Sequence, residues 1–385
     1  MTWLQTKQCV ELKFLPSMVG RKSHRSIAIL FCIIVAFFVS ASLMIPYRHS
    51  LQMNINAHHD LDGESHQNES SFPVIPFDEM IRQLYGTRKI DMTASLFTDE
   101  DGKVHRIPGR PRFKTPLGKR LVILDIDTRP LDEEGELFSS VEWDWKKVHH
   151  LSAGMVSHYM YSIIHGYDYL NIRSPVYEDR HPAWGKVLMT QHALKEHDIV
   201  VFLDSDAILR YPELPMEWLM NYWNIRKQTP ISMSSEPNLD RDKDDKGNPG
   251  HNNGFMIVQN IAKTYEIFKN WAECPEETRY EGCEKWKWKH NREQDAWSNY
   301  LRYEYEEDVQ VLPCIEANGY PEATETGCTG TFLRHHWLHK ELTKEVWADN
   351  IMEAWAPAMH KYFSDHQKDY VQDLRGKKLV GSEIV

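Results

Sequence analysis

Two acids separated by one residue follow an apolar run: Asp198-Ile-Val-Val-Phe-Leu203 leads straight into Asp204-Ser205-Asp206. In a strand, alternate residues share a face. The spacing therefore predicts two carboxylates side by side at the strand's carboxyl end. Such charges repel unless a cation or other partner lies between them. A hard divalent cation with oxygen ligands is the simplest partner. With a diphosphate-bearing substrate, the same cation would neutralise the leaving group. The plain alternative is a solvated turn at a strand end.

The flanking pattern supplies elements able to position such a pair. From Lys119 onward, strand and helix signals alternate. Residues 120–125 read as a buried strand ending in acids, 148–165 as a helix, 167–170 as a strand and 184–195 as a helix. After the Asp-x-Asp strand come helical signals at 215–225, 261–271 and 294–303, with a strand at 254–258. This alternation predicts an α/β fold: a mostly parallel, Rossmann-like sheet with helices on both faces. Ligands of such sheets sit outside the carboxyl ends of the strands.

Composition bounds the remaining classes. The chain has 385 residues, 41% hydrophobic and 26% charged, which excludes collagen and coiled coil. Acidic residues outnumber basic ones by 56 to 45, giving a net charge of −11, so nucleic acid is not an expected partner. A mean hydropathy of −0.56 hides one exception. Residues 27–45 carry no charge and are long enough to cross a ~30 Å hydrocarbon core. Lys7, Lys13, Arg21, Lys22 and Arg25 precede them, and an acidic, Lys-poor run follows. The positive-inside rule then predicts a single-pass type II anchor. The expected organisation is a cytosolic tail (1–26), a signal anchor (27–45), a lumenal stem (46–115) and a lumenal catalytic domain (116–385). Asn68-Glu69-Ser70 is a glycosylation sequon compatible with that topology. Cys9 would be cytosolic and Cys32 within the membrane. Cys274, Cys283, Cys314 and Cys328 would face an oxidising lumen, where their grouping favours 274–283 and 314–328 among three pairings. A zinc site competes, but the spacings match no tight ribbon.

The segments together resemble glycosyltransferase family 34, Golgi enzymes of the GT-A fold that include fungal galactosyl- and mannosyltransferases and plant xyloglucan xylosyltransferases. The resemblance spans Leu121 to Trp337. It rests on Tyr159 through His165-Gly-Tyr-Asp168, Arg180-His-Pro-Ala-Trp-Gly-Lys186, Val201-Phe-Leu-Asp-Ser-Asp206, Asn252-Asn-Gly-Phe-Met-Ile257, Glu293-Gln-Asp-Ala-Trp297 and Phe332-Leu-Arg-His-His336. The last segment lacks the family's Phe-x-Gly-Cys, and the loop from Pro237 to Pro249 is unusually charged.

The resemblance implies a site. Asp204, Asp206 and a late histidine would hold Mn²⁺ or Mg²⁺; His335 fits best, with His336 and His339 as competitors. A neutral imidazole suits Mn²⁺. Lys186 is expected to face the diphosphate, as a point charge on the departing nucleotide. His165 and Tyr167 would frame the sugar-nucleotide pocket, and Asp125 would mark where the base is held. Asn253 and Gly254 would face donor sugar and acceptor, with glycine permitting close approach. Gln294 or Asp295 would lie near the reacting anomeric carbon. The implied activity is retaining transfer of a hexose, with galactose or mannose leading, from a UDP- or GDP-sugar to a glycan acceptor. Golgi complexes, with itself or with another subunit, are compatible with this topology. The rival classes are an inactive lumenal scaffold or glycan-binding subunit and a metal-dependent hydrolase.

Overall fold

The computed structural model describes residues 75–384. The anchor expected at 27–45, the sequon at Asn68, and Cys9 and Cys32 lie outside the described residues. Among the described residues, no helix is long and apolar enough to cross a membrane.

The described chain opens with a helix, Phe77–Gly86 (α1), and a hairpin of Leu96–Thr98 (β1) with Val104–Arg106 (β2). These residues fall within the expected stem, yet they belong to the folded unit. Ile81 and Tyr85 are buried, and Tyr85 Oη donates to the Asn350 carbonyl at 2.9 Å. Phe97, Ile107 and Phe113 join the main core. Phe97, Ile107 and Phe113 stand too far apart along the chain to show a helical or strand period.

The central sheet contains Leu121–Asp127 (β3), Asp168–Arg173 (β4), Ile199–Leu203 (β5), Ile231–Ser235 (β7), His251–Gln259 (β8) and Val309–Leu312 (β9). Between β5 and β7 the chain forms a short strand, Ala207–Leu209 (β6), outside this sheet. The strand order is β4-β3-β5-β8-β7-β9. All pairings are parallel except those of β8, which runs antiparallel to both β5 and β7. The expected mostly parallel α/β architecture is therefore present.

The pleat sorts the side chains into two cores. Leu121, Ile123, Val201, Leu203, Phe255 and Ile257 face one way, and Val122, Leu124, Val200, Phe202, Met256 and Val258 the other. Burial on both faces explains why β3 and β5 read as continuous apolar runs. On the first face lie His150–His165 (α2), through Tyr161, and Met216–Tyr222 (α4), through Trp218 and Leu219. On the second lie Gly185–Ala193 (α3), through Val187, and Ala262–Ala272 (α5), through Phe268 and Trp271. The helix expected at 294–303 begins earlier, as Arg292–Ala296 (α6), and passes into a π turn at Trp297–Leu301. A strand Leu333–His335 (β10) and a long helix Leu342–His366 (α7) complete the domain.

Both disulfides pair as the grouping suggested, Cys274–Cys283 and Cys314–Cys328. The second spans 14 residues, and closing a loop of that size stabilises by about 3 kcal/mol in the chain-entropy description. A Cys314→Ser/Cys328→Ser variant is expected to lose about 2–4 kcal/mol of unfolding free energy in denaturant titrations. An unchanged midpoint would mean that the bridge does not constrain the unfolded chain.

Candidate metal centre

Asp204, Ser205 and Asp206 leave β5 in a tight turn closed by Ala207 N–H on the Asp204 carbonyl at 2.8 Å. The two carboxylates converge because of this turn, and not because of the strand pleat that their spacing suggested. The turn holds its place through two close approaches. A Cβ on Gly154 of α2 would lie 2.0 Å from the Ser205 carbonyl oxygen, so only glycine fits there. On the other side, Asp204 N–H donates to the Gly254 carbonyl at 2.7 Å.

The third ligand arrives by strand pairing. β6 follows the acidic turn and pairs antiparallel with β10, which sets His335 opposite Ala207. Donor atoms of Asp204, Asp206 and His335 all lie within 4.8 Å of one another. Of the three competing histidines, His335 is the one at the centre. His336 is buried against Thr343 Oγ1 at 3.1 Å, and His339 meets the Tyr320 hydroxyl at 3.1 Å. His335 Nδ1 lies 3.2 Å from Asn318 Oδ1, an acceptor, so Nδ1 carries the proton and Nε2 turns to the carboxylates. That is the tautomer a metal site needs, with an outer partner fixing the ring. Burial disfavours the charged ring, but Asp206 and Asp204 outweigh it and raise the His335 pKa. Asp206 is also buried, yet His335 and Lys340 hold its pKa well below the usual carboxylate range. Two carboxylates and an imidazole make a donor set that suits Mn²⁺ or a similar divalent ion.

Gly254 leaves the space that the histidine ring occupies. A Cβ there would stand 2.3 Å from His335 Cε1. The glycine expected to face donor sugar and acceptor also makes room for the His335 ring. β8 bulges here, where its register against β7 jumps from Met233↔Met256 to Ser234↔Asn252. Extra residues on one strand bend it, and the bend presents Asn253 to the cavity.

The centre opens into a cavity of about 560 Å³ at the carboxyl ends of β3 and β5. Lys186 lies in its wall, 3.0 Å from Asp204 Oδ1 and 3.5 Å from Glu293 Oε1. Burial would lower the pKa of its ammonium, but the two carboxylates raise it above the ordinary lysine value. Asn253 Oδ1 accepts from Lys186 at 3.2 Å, and its amide group donates to Glu293 at 3.3 Å. Gln294 donates to Glu236 at 2.7 Å and accepts from Asn253 N–H at 3.1 Å, which fixes its side-chain amide. Asp204, Asp206, Lys186, Asn253 and Gln294 thus line one cavity.

Four expected site residues are placed elsewhere. Asp125 is fully buried and receives His158 Nδ1 at 2.9 Å and the Tyr169 hydroxyl at 2.8 Å. β3 continues past it, so Asp127, held in a fork by Arg129, reaches the cavity instead. His165 and Tyr167 precede β4 and so lie at its amino end, away from the ligand side. His165 Nε2 donates to the Pro212 carbonyl at 2.7 Å, and burial with nearby Lys89 lowers its pKa to about 3. Tyr167 is tied to Glu217 and accepts from Met216 N–H at 2.9 Å. Asp295 is not among the residues lining the cavity; it accepts from Asn291 at 3.3 Å, and burial raises its pKa to about 6.

The structure adds residues that the sequence did not single out. Lys340 pairs with Asp206, and His181, Arg292 and Glu293 line the cavity. Glu293 is buried, with Oε2 lacking a partner among the described residues. Its place beside Gln294 was a signal that helix-start statistics obscured. Nothing local marks Lys340.

Neither a family model nor a curated protein matches the sequence. Among solved structures, the chain is similar to a glycosyltransferase involved in glycosylation of the major capsid of PBCV-1. The identity is 14% and the TM-score 0.43, covering 59% of this chain and 98% of that one. It is also similar to the glycosyltransferase GlyE of Streptococcus pneumoniae, at 14% identity and TM-score 0.36, with 63% and 64% covered. Mouse xyloside xylosyltransferase 1 matches at 12% identity and TM-score 0.35, with 57% and 98% covered. At these TM-scores, the likeness does not establish a shared fold.

Two outcomes check the architecture of the centre. Gly254→Ala should leave far-ultraviolet circular dichroism intact and weaken Mn²⁺ binding by about 10- to 100-fold; calorimetry showing unchanged affinity would remove the role given to Gly254. The second concerns His158, whose Nε2 also donates to the Ala207 carbonyl at 2.6 Å. Burial opposes its charge, but Asp125 and that carbonyl raise its pKa above 6.5. The unfolded ring titrates near 6.5, so this contribution to stability is complete below that pH and is lost as pH rises through the raised value. The difference in melting temperature between wild type and His158→Gln should therefore shrink across the alkaline side. A pH-independent difference would show that His158 is neutral in the fold.

Proposed function

We propose that this protein is a metal-dependent glycosyltransferase that moves a hexose from a nucleotide sugar to a glycan. The observation that carries the reading is the convergence of Asp204, Asp206 and His335 at the carboxyl end of β5, at the mouth of a polar cavity. The family 34 resemblance supports it, since its segments contribute these ligands together with Lys186, Asn253 and Gln294.

A divalent ion held by the three ligands would supply positive charge against the diphosphate leaving group. The chain's own groups do the rest. Lys186, held between Asp204 and Glu293, presents a second charge on the same side of the cavity. The unpartnered Glu293 Oε2 is an acceptor suited to a sugar hydroxyl. Gln294 keeps a single amide orientation through Glu236 and the Asn253 backbone, which suits close positioning at the anomeric carbon. The family resemblance carries the stereochemistry: retention by same-face substitution, with the departing diphosphate taking the acceptor hydroxyl's proton. The donor is a UDP- or GDP-hexose, galactose or mannose.

The apolar segment 27–45, with basic residues before it and acidic residues after, supports a single-pass type II Golgi topology. The two disulfides fit a lumenal domain.

Detergent-solubilised full-length protein, assayed with a panel of UDP- and GDP-hexoses, should release nucleotide only with Mn²⁺ or a similar ion present. Asp204→Asn and Asp206→Asn should each cut that rate at least about 100-fold. Metal-independent turnover, or full activity in both variants, would sink the reading.

A further inference from the structure

Most of the strong cations lining the cavity are paired. Arg129 grips Asp127, Lys186 spans Asp204 and Glu293, and Lys340 reaches Asp206. Arg292 lines the same cavity and has no carboxylate partner among the described residues. Its Nε is buried with no hydrogen-bond partner. Leaving such a donor unpaired is costly, and the cost is recovered when an acceptor enters.

The backbone around it is also unusual. Asn291 and Arg292 have φ of 64° and 42°, in the left-handed region. Asparagine tolerates this conformation, whereas arginine gains nothing from it. Outliers of this kind persist where the surrounding fold enforces them, and they cluster at ligand clamps. Here the conformation puts the side chain on the cavity wall just before Glu293 and Gln294.

Charge balance points the same way. The three paired groups leave one negative charge over, which Arg292 cancels. A divalent ion at the centre then leaves the lining with two positive charges, the complement of a diphosphate diester. A guanidinium meets such oxygens in a planar fork.

We propose that Arg292 is an oxyanion-binding residue of this cavity, taking two oxygens of a substrate phosphate or carboxylate side by side. The assignment rests on the nucleotide-sugar reading for its two sources: the donor's diphosphate, which the charge balance favours, or an acidic sugar of the acceptor.

The test uses the full chain with Mn²⁺, titrated with inorganic pyrophosphate and separately with glucuronic acid. Wild type is compared with Arg292→Asn, Arg292→Gln and Arg292→Lys. Arg292→Asn suits the left-handed backbone, so its melting temperature should be no lower than that of wild type. Affinity for one anion should fall about 10- to 100-fold in the Asn and Gln variants and recover in part in the Lys variant. A loss confined to pyrophosphate assigns Arg292 to the donor's diphosphate, and a loss confined to glucuronate assigns it to an acidic acceptor. Unchanged affinity for both, in folded variants, overturns the proposal and leaves glycosyl transfer standing. A wild type that binds neither anion overturns the proposal and the nucleotide-sugar reading together.

Discussion

Asp204 and Asp206 place two like charges within the span of a single ion, and one of them, Asp206, is almost wholly buried. A buried carboxylate without compensation is expensive, so the surrounding elements are arranged to supply positive charge or donors. Lys186 comes from α3 across the sheet, Lys340 from the turn before α7, and His335 from β10. These residues lie far apart in the chain and meet only because the acidic turn sits at their common focus. The cavity is the space left between those elements.

Close backbone approach is the second constraint. Gly154 lets α2 touch the acidic turn, and Gly254 lets the His335 ring enter beside β8. Behind the turn, His158 bonds through both ring nitrogens, to Asp125 and to the Ala207 carbonyl, and so ties β3 and α2 to the strand that pairs with β10. The candidate ligands Asp204, Asp206 and His335 are therefore held by packing and by a buried ion pair, and not by their own local sequence. Such a supporting shell keeps donor atoms at workable geometry when a ligand arrives.

The two ends of the sheet do different work. At the carboxyl ends of β3 and β5, polar side chains are left facing a cavity. At the amino end of β4, His165 and Tyr167 are spent on carbonyls and on Glu217, inside a core with Tyr161 and Trp218. A histidine and a tyrosine within a family-like segment invite a functional reading, but strand direction places them at the end of the sheet away from the cavity.

Much of the fold was legible because β3, β5 and α2 carry strong local patterns: continuous apolar runs for strands buried on both faces, and helical spacing for the helix. The Asp-x-Asp pair was legible for the same reason, since an acidic turn directly after an apolar strand contrasts with its flank. Within the expected stem (46–115), Phe97 packs against Tyr211, Trp218 and Phe332, partners more than a hundred residues away that no local pattern records. β6 and β10 are too short to show a period, although their pairing selects His335 over its two neighbours. By itself, then, the sequence determined the alternation of elements, the position of the carboxylate pair and the residue types able to hold a cation. Tertiary structure separated His335 from its competitors, added Lys340 to Lys186, and put Asp127 instead of Asp125 at the cavity. The reason is physical: patterns along a chain record burial, whereas convergence depends on strand direction, register and the few positions where a missing Cβ lets two backbones meet.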